Sequence, residues 1–448
     1  MVPQNWLEIV KRNISILRGY FWALTGSAGR LVISLAYFVA IANALSISEF
    51  GLFATTSAMG IVLSRISALG FSSPLYRVAT VKPRLIGVYS TGYLAALLLS
   101  LPLVLIATLV AYYLIFSGDI NFMTYAVIVA AEVLLWRSVE IVMIVCNGMG
   151  RFARSAILAL GGYAIRAIAA LLFVFLGKST LADWSWFYFS ANGLVLIIGL
   201  LIFYPRARLR WVPALYLRRW RDSLSVAGSE ILFYLQSELD KLLVLSIGGP
   251  VAAGLYAIMM RLVDLTAVPI RAFNMMLAQS VMRSSHTISS LKIRGLIEGG
   301  IALVSTAAML SITGFLTLYP QALGANVMEA VPFLILVLAV PALRNLIEYQ
   351  SELLYATGRT FVRATNLALI GLAKAAMLSA LLMSYSEVSQ WAPLLNLVFL
   401  ALYLLSADHN GYSHLRQDCL ADLPRTETDE GLDADTDLVR FHLRYEIE

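Results

Sequence analysis

Eighteen ionisable side chains lie within segments of this sequence that are otherwise apolar and long enough to cross a membrane. A charged group at the centre of a bilayer costs at least about 3 kcal/mol, so it needs a partner of opposite charge or contact with water. The sequence therefore predicts a solvated interior between helices. The nine basic residues are Arg30, Arg65, Arg137, Arg166, Lys241, Arg261, Arg271, Arg344 and Lys374, and the nine acidic residues are Glu132, Glu140, Glu230, Glu238, Asp240, Asp264, Glu298, Glu348 and Glu352.

Some of these charges have an opposite charge three or four residues away, on the same face of a helix. The spacing predicts local ion pairs for Arg137–Glu140, Glu238–Lys241, Arg261–Asp264, Arg344–Glu348 and, just outside a span, Arg294–Glu298. The basic residues left without such a partner are Arg30, Arg65, Arg166, Arg271 and Lys374. If their helices converge, they form a cationic cavity for a phosphorylated or otherwise acidic substrate, because a guanidinium fits phosphate oxygens. Salt bridges between helices, such as Arg166 with Glu132, are the alternative.

Four acidic residues are candidates for coupling to an ion gradient. Glu230, Glu238 and Asp240 make one predicted span unusually polar, and Asp264 lies in the next span. Neighbouring carboxylates favour the binding of a proton or a cation, so we expect proton or sodium coupling there and no other cofactor. Pro269, which follows Asp264, permits a bend that serves either as a hinge or as an ordinary kink.

The composition places these charges in a membrane protein. The chain has 448 residues, of which 60% are hydrophobic and 13% are charged, and its mean hydropathy is +0.79. Since a soluble domain is about 45–50% apolar and about 25% charged, the composition disfavours a cytosolic enzyme, a disordered chain and a nucleic-acid-binding protein. A helical crossing needs about 20 apolar residues. The twelve predicted spans are Phe21–Leu45, Phe50–Ser72, Val88–Phe116, Met123–Val145, Ser155–Leu176, Trp184–Tyr204, Leu224–Ile247, Leu255–Met282, Gly295–Leu318, Glu329–Tyr355, Phe361–Tyr385 and Val388–Ser406.

The basic residues of the short connections lie almost entirely at one end of the predicted bundle. Nineteen Lys and Arg residues occupy the connections at that end, whereas the other end has Lys178 alone. Because basic loops stay in the cytoplasm, both termini are predicted to be cytoplasmic. Residues 1–20 are predicted to form a cytoplasmic or interfacial N-terminus. Residues 407–448, with eleven acidic and four basic residues, are predicted to form an acidic, disordered cytoplasmic tail.

The longest interior connection, a cytoplasmic linker at residues 205–223, divides the spans into six and six. Similar local sequences recur in the two halves in the same order. Gly51-Leu52-Phe53-Ala54 matches Gly254-Leu255-Tyr256-Ala257, and Gly150-Arg151 matches Gly358-Arg359. The repeats predict an all-α polytopic membrane protein, with twelve transmembrane helices in two pseudo-symmetric six-helix lobes around a central cavity. The predicted lobes are residues 21–204 and 224–406.

The sequence lacks the motifs of common enzymes and metal sites. It contains no P-loop, no metal-ligand spacing and no nucleophile elbow. Its four histidines, which lie outside the predicted spans, are His286, His409, His414 and His442. We therefore expect a protein that is not an enzyme, with no catalytic residues, no metal and no nucleic-acid partner.

Two segments resemble polysaccharide flippases of the multidrug/oligosaccharidyl-lipid/polysaccharide exporter superfamily. Ser48-Glu49-Phe50-Gly51-Leu52-Phe53, continued by Ala68-Leu69-Gly70-Phe71 and Arg77, is similar to the second helix of that family. Ser237-Glu238-Leu239-Asp240-Lys241, continued by Gly254-Leu255-Tyr256-Ala257 and Arg261, is similar to its seventh and eighth helices. The resemblance extends over residues 15–405.

The resemblance implies two lobes that form a V and work by alternating access. It implies an undecaprenyl-diphosphate-linked oligosaccharide as cargo, flipped from the cytoplasmic to the periplasmic leaflet of a bacterial inner membrane. Membrane lipid and a polysaccharide polymerase or export machinery are the partners expected with it. Related peptidoglycan-precursor flippases use arginines in helices one, two and eight, which adds Arg261 to the candidates. The predicted substrate-binding residues are Arg30, Arg65, Arg166, Arg261, Arg271 and Lys374.

Other functions stay open at this point. A cation-coupled drug or metabolite antiporter of the same fold is the first, although Arg30 stands in the first span, where related drug antiporters often have an acid. A membrane enzyme of polysaccharide assembly is the second, and the short connections at the end with Lys178 disfavour it. A major-facilitator transporter also has twelve spans, but residues 78–87 lack the Gly-Asp-Arg-Gly-Arg type of pattern.

Overall fold

The structure is a computed structural model, and it describes residue 29, residues 31–283 and residues 291–407. The described residues up to Ser406 belong to one compact unit, and all their regular secondary structure is helical. The predictions for Arg30, for residues 1–20 and for the tail beyond Ala407 lie outside the described residues.

Eight helices precede the central connection in the described residues. They form because a helix satisfies its backbone hydrogen bonds internally, as a membrane requires. The helices are α1 (Leu31–Ala44), α2 (Ile47–Ser64), α3 (Ser72–Val81), α4 (Ile86–Ala111), α5 (Phe122–Ala130), α6 (Arg137–Gly148), α7 (Phe152–Phe175) and α8 (Leu181–Ile198). Single π-helical stretches follow α4, α5 and α8, at Tyr112–Phe116, Ala131–Trp136 and Gly199–Phe203.

The central connection and the second half of the chain contain the remaining helices of the described residues. These are α9 (Pro213–Leu217), α10 (Trp220–Arg283), α11 (Leu291–Leu318), α12 (Ala325–Leu334), α13 (Val340–Ala356), α14 (Thr360–Ser384), α15 (Val388–Trp391) and α16 (Leu395–Ala407). Gly249 has a φ of +79°, so it interrupts α10 between residues 220–248 and residues 250–283. These two arms of α10 correspond to the seventh and eighth predicted spans.

Every predicted span overlaps a helical region, and the predicted all-helical, polytopic, two-lobed fold class is confirmed. Among the described residues, seven helices are long and apolar enough to cross a membrane. An eighth span is counted when Ala325–Val337 and Val340–Ala356, which are bent by 70°, are taken together. Two of the other predicted spans are short, as in α1 and α16, and two are joined as arms of α10. The predicted span that covers α5, Ala131–Trp136 and α6 contains three charged residues, Glu132, Arg137 and Glu140.

The predicted second span is not one continuous helix. It breaks after α2, where Ala68 and Leu69 have φ values of +57° and +47° and are followed by Gly70 at +72°. Ala68 donates its backbone N–H to the Ser100 hydroxyl at 2.9 Å, so α4 holds the break in place. The apolar sequence alone does not reveal this break, because only Gly70 is a residue that favours positive φ.

The two halves contact each other at the end of the bundle that has few charges. We call it the sparsely charged end; it comprises the connections at residues 45–46, 117–121, 176–180 and 319–324. There Asn43 donates to the Leu323 carbonyl at 2.7 Å. Asn326 donates to the carbonyls of Ala42 and Leu45, each at 2.6 Å. These side-chain bonds close the cleft between α1 and the start of α12.

Two glycines bring α2 and α10 into backbone contact at the same end. A Cβ added at Gly51 would lie 2.3 Å from the Pro250 carbonyl oxygen, and one added at Gly254 would lie 2.1 Å from the Ile47 carbonyl oxygen. No larger residue fits without separation of the helices. The repeated Gly-Leu-aromatic-Ala segments of the sequence thus meet face to face across the two halves.

We expect Gly254→Ala to lower the stability of the protein by about 1–3 kcal/mol, because the new methyl group overpacks a backbone contact. Gly161→Ala is the matched control, since an added Cβ there meets nothing within 4 Å and alanine favours a helix over glycine. The measurement is the melting temperature of each purified variant in detergent. Equal melting temperatures for the two variants would contradict the contact.

Candidate functional site

Two cavities adjoin at α10. The C-half cavity, of about 330 Å³, lies among α10, α13 and α14. The inter-half cavity, of about 300 Å³, lies among α1, α2, α7, α8 and α10. Asp264 of α10 lines both cavities, so one helix separates them and contributes to each wall.

The walls of both cavities contain as many acidic as basic side chains. The C-half cavity is lined by Asp264, Glu348 and Glu352 together with Arg271, Arg344 and Lys374. The inter-half cavity is lined by Glu132, Glu238 and Asp264 together with Arg166, Lys241 and Arg261. The prediction of a cationic cavity is therefore wrong for the described walls, because acids from other helices reach the same space.

Arg65 lies outside both cavities, in a network of ion pairs. It makes a two-pronged contact with Glu140, at 2.8 and 3.1 Å, and its guanidinium stacks at 3.8 Å from the centre of the Tyr234 ring. Arg137 contacts Glu140 at 2.9 Å and Glu230 at 2.8 Å. The predicted Arg137–Glu140 pair is present, but the structure places neither Arg65 nor Glu230 against the cavity space.

Arg271 and Lys374 line the C-half cavity, and each has an acidic partner. Arg271 contacts Glu348 at 2.9 Å, with 50% of its side chain exposed. Lys374 is buried, 3.7 Å from Asp240. Asp240 also accepts a hydrogen bond from the Tyr256 hydroxyl at 2.7 Å. These two basic residues are therefore neutralised across helix boundaries that the sequence spacing cannot show.

Two of the predicted same-helix pairs are exchanged for pairs between helices. Arg344 contacts Asp264 at 3.4 Å, and Glu348 is taken by Arg271, so neither Arg344–Glu348 nor Arg261–Asp264 forms. A long arginine side chain reaches the facing helix as readily as its own next turn. Lys241 keeps its predicted same-helix partner, Glu238, at 2.5 Å.

Among the predicted substrate-binding residues that the structure describes, Arg166 and Arg261 are the two that no acid neutralises directly. No carboxylate of the described residues lies within ion-pair distance of either one. Arg166 donates to the Asn192 side-chain oxygen at 2.5 and 2.9 Å and stacks 3.7 Å from the Trp136 ring centre. Arg261 donates to the Ser34 hydroxyl. Both guanidinium groups face the inter-half cavity.

Glu132 is a buried carboxylate that the sequence did not single out as a site residue. It accepts hydrogen bonds from the Ser57 hydroxyl at 2.7 Å and from the Tyr188 hydroxyl. It lies in the π-helical stretch Ala131–Trp136, a geometry that is frequent at functional sites. The predicted Arg166–Glu132 salt bridge does not form, although both residues line the same cavity. In the sequence, Glu132 was marked only by the lack of a basic residue three or four positions away.

The coupling candidates all face basic side chains rather than one another. Glu230, Glu238, Asp240 and Asp264 contact Arg137, Lys241, Lys374 and Arg344, respectively. An ion that enters one of these pairs must displace a lysine or an arginine. Among the described residues, no cluster of three or more His, Cys, Asp or Glu side chains is placed to hold a metal.

Comparisons with known proteins identify the fold. No protein-family model and no curated protein matches the sequence. Among solved structures, one similar protein is a MOP superfamily transporter from Pyrococcus furiosus, described as having a binding pocket of reversed polarity. It is 13% identical to this chain with a TM-score of 0.60, and the match covers 91% of this chain and 96% of that one. An inward-facing multidrug resistance MATE family transporter is 13% identical with a TM-score of 0.59, covering 88% and 96%.

A further similar structure is a MATE protein in complex with MaL6, at 13% identity and a TM-score of 0.58, covering 91% of this chain and 96% of that one. At these identities the likeness concerns the fold. The chain therefore has the same fold as these MATE and MOP superfamily transporters.

We expect Glu140→Gln to lower the free energy of unfolding by about 3 kcal/mol, since two buried arginines then share a neutral partner. Asp222→Asn is the control, because it removes the exposed pair with Arg219 at 3.3 Å and an exposed pair contributes at most about 1 kcal/mol. Melting temperatures in detergent measure both changes. A loss for Glu140→Gln no greater than for Asp222→Asn would exclude a central role for this network.

Proposed function

We propose that this chain is a transporter that flips an anionic, lipid-linked oligosaccharide across a membrane by alternating access. The cargo is an undecaprenyl-diphosphate-linked repeat unit of a surface polysaccharide, moved from the cytoplasmic to the periplasmic leaflet of a bacterial inner membrane. The basic end of the bundle and both termini face the cytoplasm. A polysaccharide polymerase or export machinery receives the cargo, and the chain itself catalyses no covalent step.

The pair Arg166 and Arg261 is the observation on which this proposal rests. Both arginines reach the inter-half cavity, and hydrogen bonds to neutral groups hold them there without a carboxylate. A diphosphate supplies the negative charge that they lack, and a guanidinium binds phosphate oxygens with directed hydrogen bonds. The position between the halves suits a group that must be released when the halves move apart.

The contacts between the halves support alternating access. The sparsely charged end is closed by Asn43, Asn326 and the glycine contacts described above. Toward the opposite, basic end, Arg271 is half-exposed and Glu348 is about one-third exposed. Both residues also line a further cavity of about 320 Å³ that reaches Tyr355. The contacts that join the halves therefore lie at one end, whereas a partly exposed ion pair lies toward the other, which is what one of the two states of such a cycle requires.

Proton or sodium coupling acts, in this proposal, through the paired acids of α10. Protonation of Asp240 would release Lys374, and binding of a cation at Glu238 would release Lys241, because each pair lies within 4 Å. Either event changes the charge that the cavity wall presents to the cargo. Coupling thus works by exchange of partners in a neutral network rather than by a cluster of carboxylates.

One observation favours a second function, a cation-coupled drug or metabolite antiporter of the same fold. Glu132 is buried at the inter-half cavity with hydroxyl donors and no basic partner within ion-pair distance among the described residues. A buried carboxylate without a basic partner attracts an organic cation. The cavity walls contain equal numbers of acidic and basic side chains, and this charge balance is compatible with a cationic cargo.

We expect Arg261→Gln to reduce transport of the lipid-linked unit by about 10- to 100-fold, since a hydrogen bond to a charged group contributes about 1.5–3 kcal/mol. Arg166→Gln should have an effect of the same order, and Lys178→Gln at the sparsely charged end is the control. The measurement is lipid analysis of a deletion strain that expresses each variant, with complete repeat units trapped on the inner leaflet as the expected result.

Other outcomes of that experiment favour the rival functions. Export of organic cations with no change in lipid-linked sugars supports the antiporter. Exported but unpolymerised units support an enzyme of polysaccharide assembly.

Neutral substitution of the paired acids tests the coupling step. We expect Glu238→Gln and Asp240→Asn to remove the dependence of transport on pH or on sodium, because the released lysine no longer responds to the ion. Asp183→Asn, which breaks the exposed Lys178 pair at 3.4 Å, should keep that dependence. Full retention of the pH and sodium dependence in Glu238→Gln and Asp240→Asn would count against coupling at α10.

A further inference from the structure

An apolar groove lies on the first half of the chain, apart from both central cavities. It has a volume of about 410 Å³ and runs between the break after α2, the helix α4 and the linker around α9. None of its lining residues lines the C-half or inter-half cavity. The apolar and aromatic side chains that shape it include Phe71, Ala96, Leu99, Trp211, Leu217 and Trp220.

The linker side of this groove is held firmly against the helices. The Tyr216 hydroxyl donates to the Val88 carbonyl at 2.8 Å, and its ring packs edge-on to Phe71. A Cβ at Gly87 would lie 2.1 Å from the Arg208 carbonyl oxygen, and one at Gly70 would lie 2.1 Å from the Ser223 carbonyl oxygen. Close backbone contacts therefore hold the linker against the helices beside the groove.

The floor of the groove contains an unusual backbone conformation. Ala68 and Leu69, which line it, are the two non-glycine residues with positive φ among the described residues. Strain of this kind persists where the surrounding structure over-determines it, and it clusters at ligand-binding positions. The break turns the chain from α2 into α3 and thereby opens the space beside α4.

The linker that forms one side of the groove has a strong positive charge. Of the six linker arginines, Arg219 contacts Asp222 at 3.3 Å. The other five are exposed and have no ion pair among the described residues: Arg206, Arg208, Arg210, Arg218 and Arg221. Trp211 and Trp220 are 60% and 53% exposed beside them, and tryptophan is enriched where a membrane meets water.

We propose that this groove binds an anionic phospholipid, with one acyl chain along α4 and the phosphate group against the linker arginines. An apolar channel beside unpaired arginines matches the two ends of such a molecule. A phospholipid is favoured over the cargo because the groove is separate from the cavities in which the cargo headgroup is proposed to bind. The linker joins the two halves, and the bound lipid holds this linker against α4. This role does not depend on which cargo is transported.

Native mass spectrometry of the purified full-length protein tests this assignment, with phosphatidylglycerol and phosphatidylcholine as probes. Phosphatidylglycerol should be retained in preference to phosphatidylcholine. Arg218→Gln combined with Arg221→Gln should weaken its binding about 30-fold, at about 1 kcal/mol for each arginine near an anionic lipid. Arg151→Gln combined with Arg154→Gln is the matched control, since these arginines are also exposed, in another connection at the basic end.

A second pair of variants tests the apolar part of the site. Ala96→Phe fills the groove and should remove the bound lipid, whereas Leu98→Phe lies on the same helix outside the groove and should leave binding unchanged. Equal retention of both phospholipids, unchanged affinity in the Arg218 and Arg221 double variant, or displacement of the phospholipid by a lipid-linked oligosaccharide would each overturn the proposal. Failure of lipid binding leaves the transport assay of Arg261→Gln unaffected, so the two proposals are distinguished.

Discussion

The structure depends on one constraint: each charge taken into the membrane interior must be balanced or hydrogen-bonded there. Glu140 shows how tightly the constraint acts, because this single carboxylate serves both Arg65 and Arg137. Removal of one member of a buried pair leaves an uncompensated charge. The resulting loss of stability is larger than the net stabilisation that the intact pair provides. Most of the interior charge is therefore structural, and what stands outside these pairs has the stronger claim to a role in binding.

Three of the residues outside the pairs meet in one place. Arg166, Arg261 and Glu132 all face the inter-half cavity, where amide and hydroxyl groups replace ions as their partners. In this part of the wall, the two arginines are available to bind an anion, and Glu132 is available to bind a cation. The charges of this wall are therefore compatible with an anionic cargo and with an organic cation.

The close backbone contacts and the charged side-chain contacts lie in different parts of the bundle. The sparsely charged end is joined by backbone contacts at Gly51 and Gly254, which tolerate no added side chain. The cavities are bounded by long arginine and lysine side chains, several of which pair with acids on other helices. The linker arginines and their apolar groove lie outside this working interior, at the surface of the first half. The proposed transport site and the proposed lipid site therefore lie on separate surfaces of the molecule.

The sequence by itself determined the all-helical, membrane-embedded class, because hydropathy and the spacing of apolar residues are local properties. It also predicted the Arg137–Glu140 and Glu238–Lys241 pairs correctly, since both partners lie on one helix. Only the tertiary structure decided that Arg344 contacts Asp264, that Arg271 takes Glu348, and that Arg65 is neutralised away from the cavities. Those choices depend on which helices face each other, and helical periodicity shows which residues share a face but not which helix that face meets.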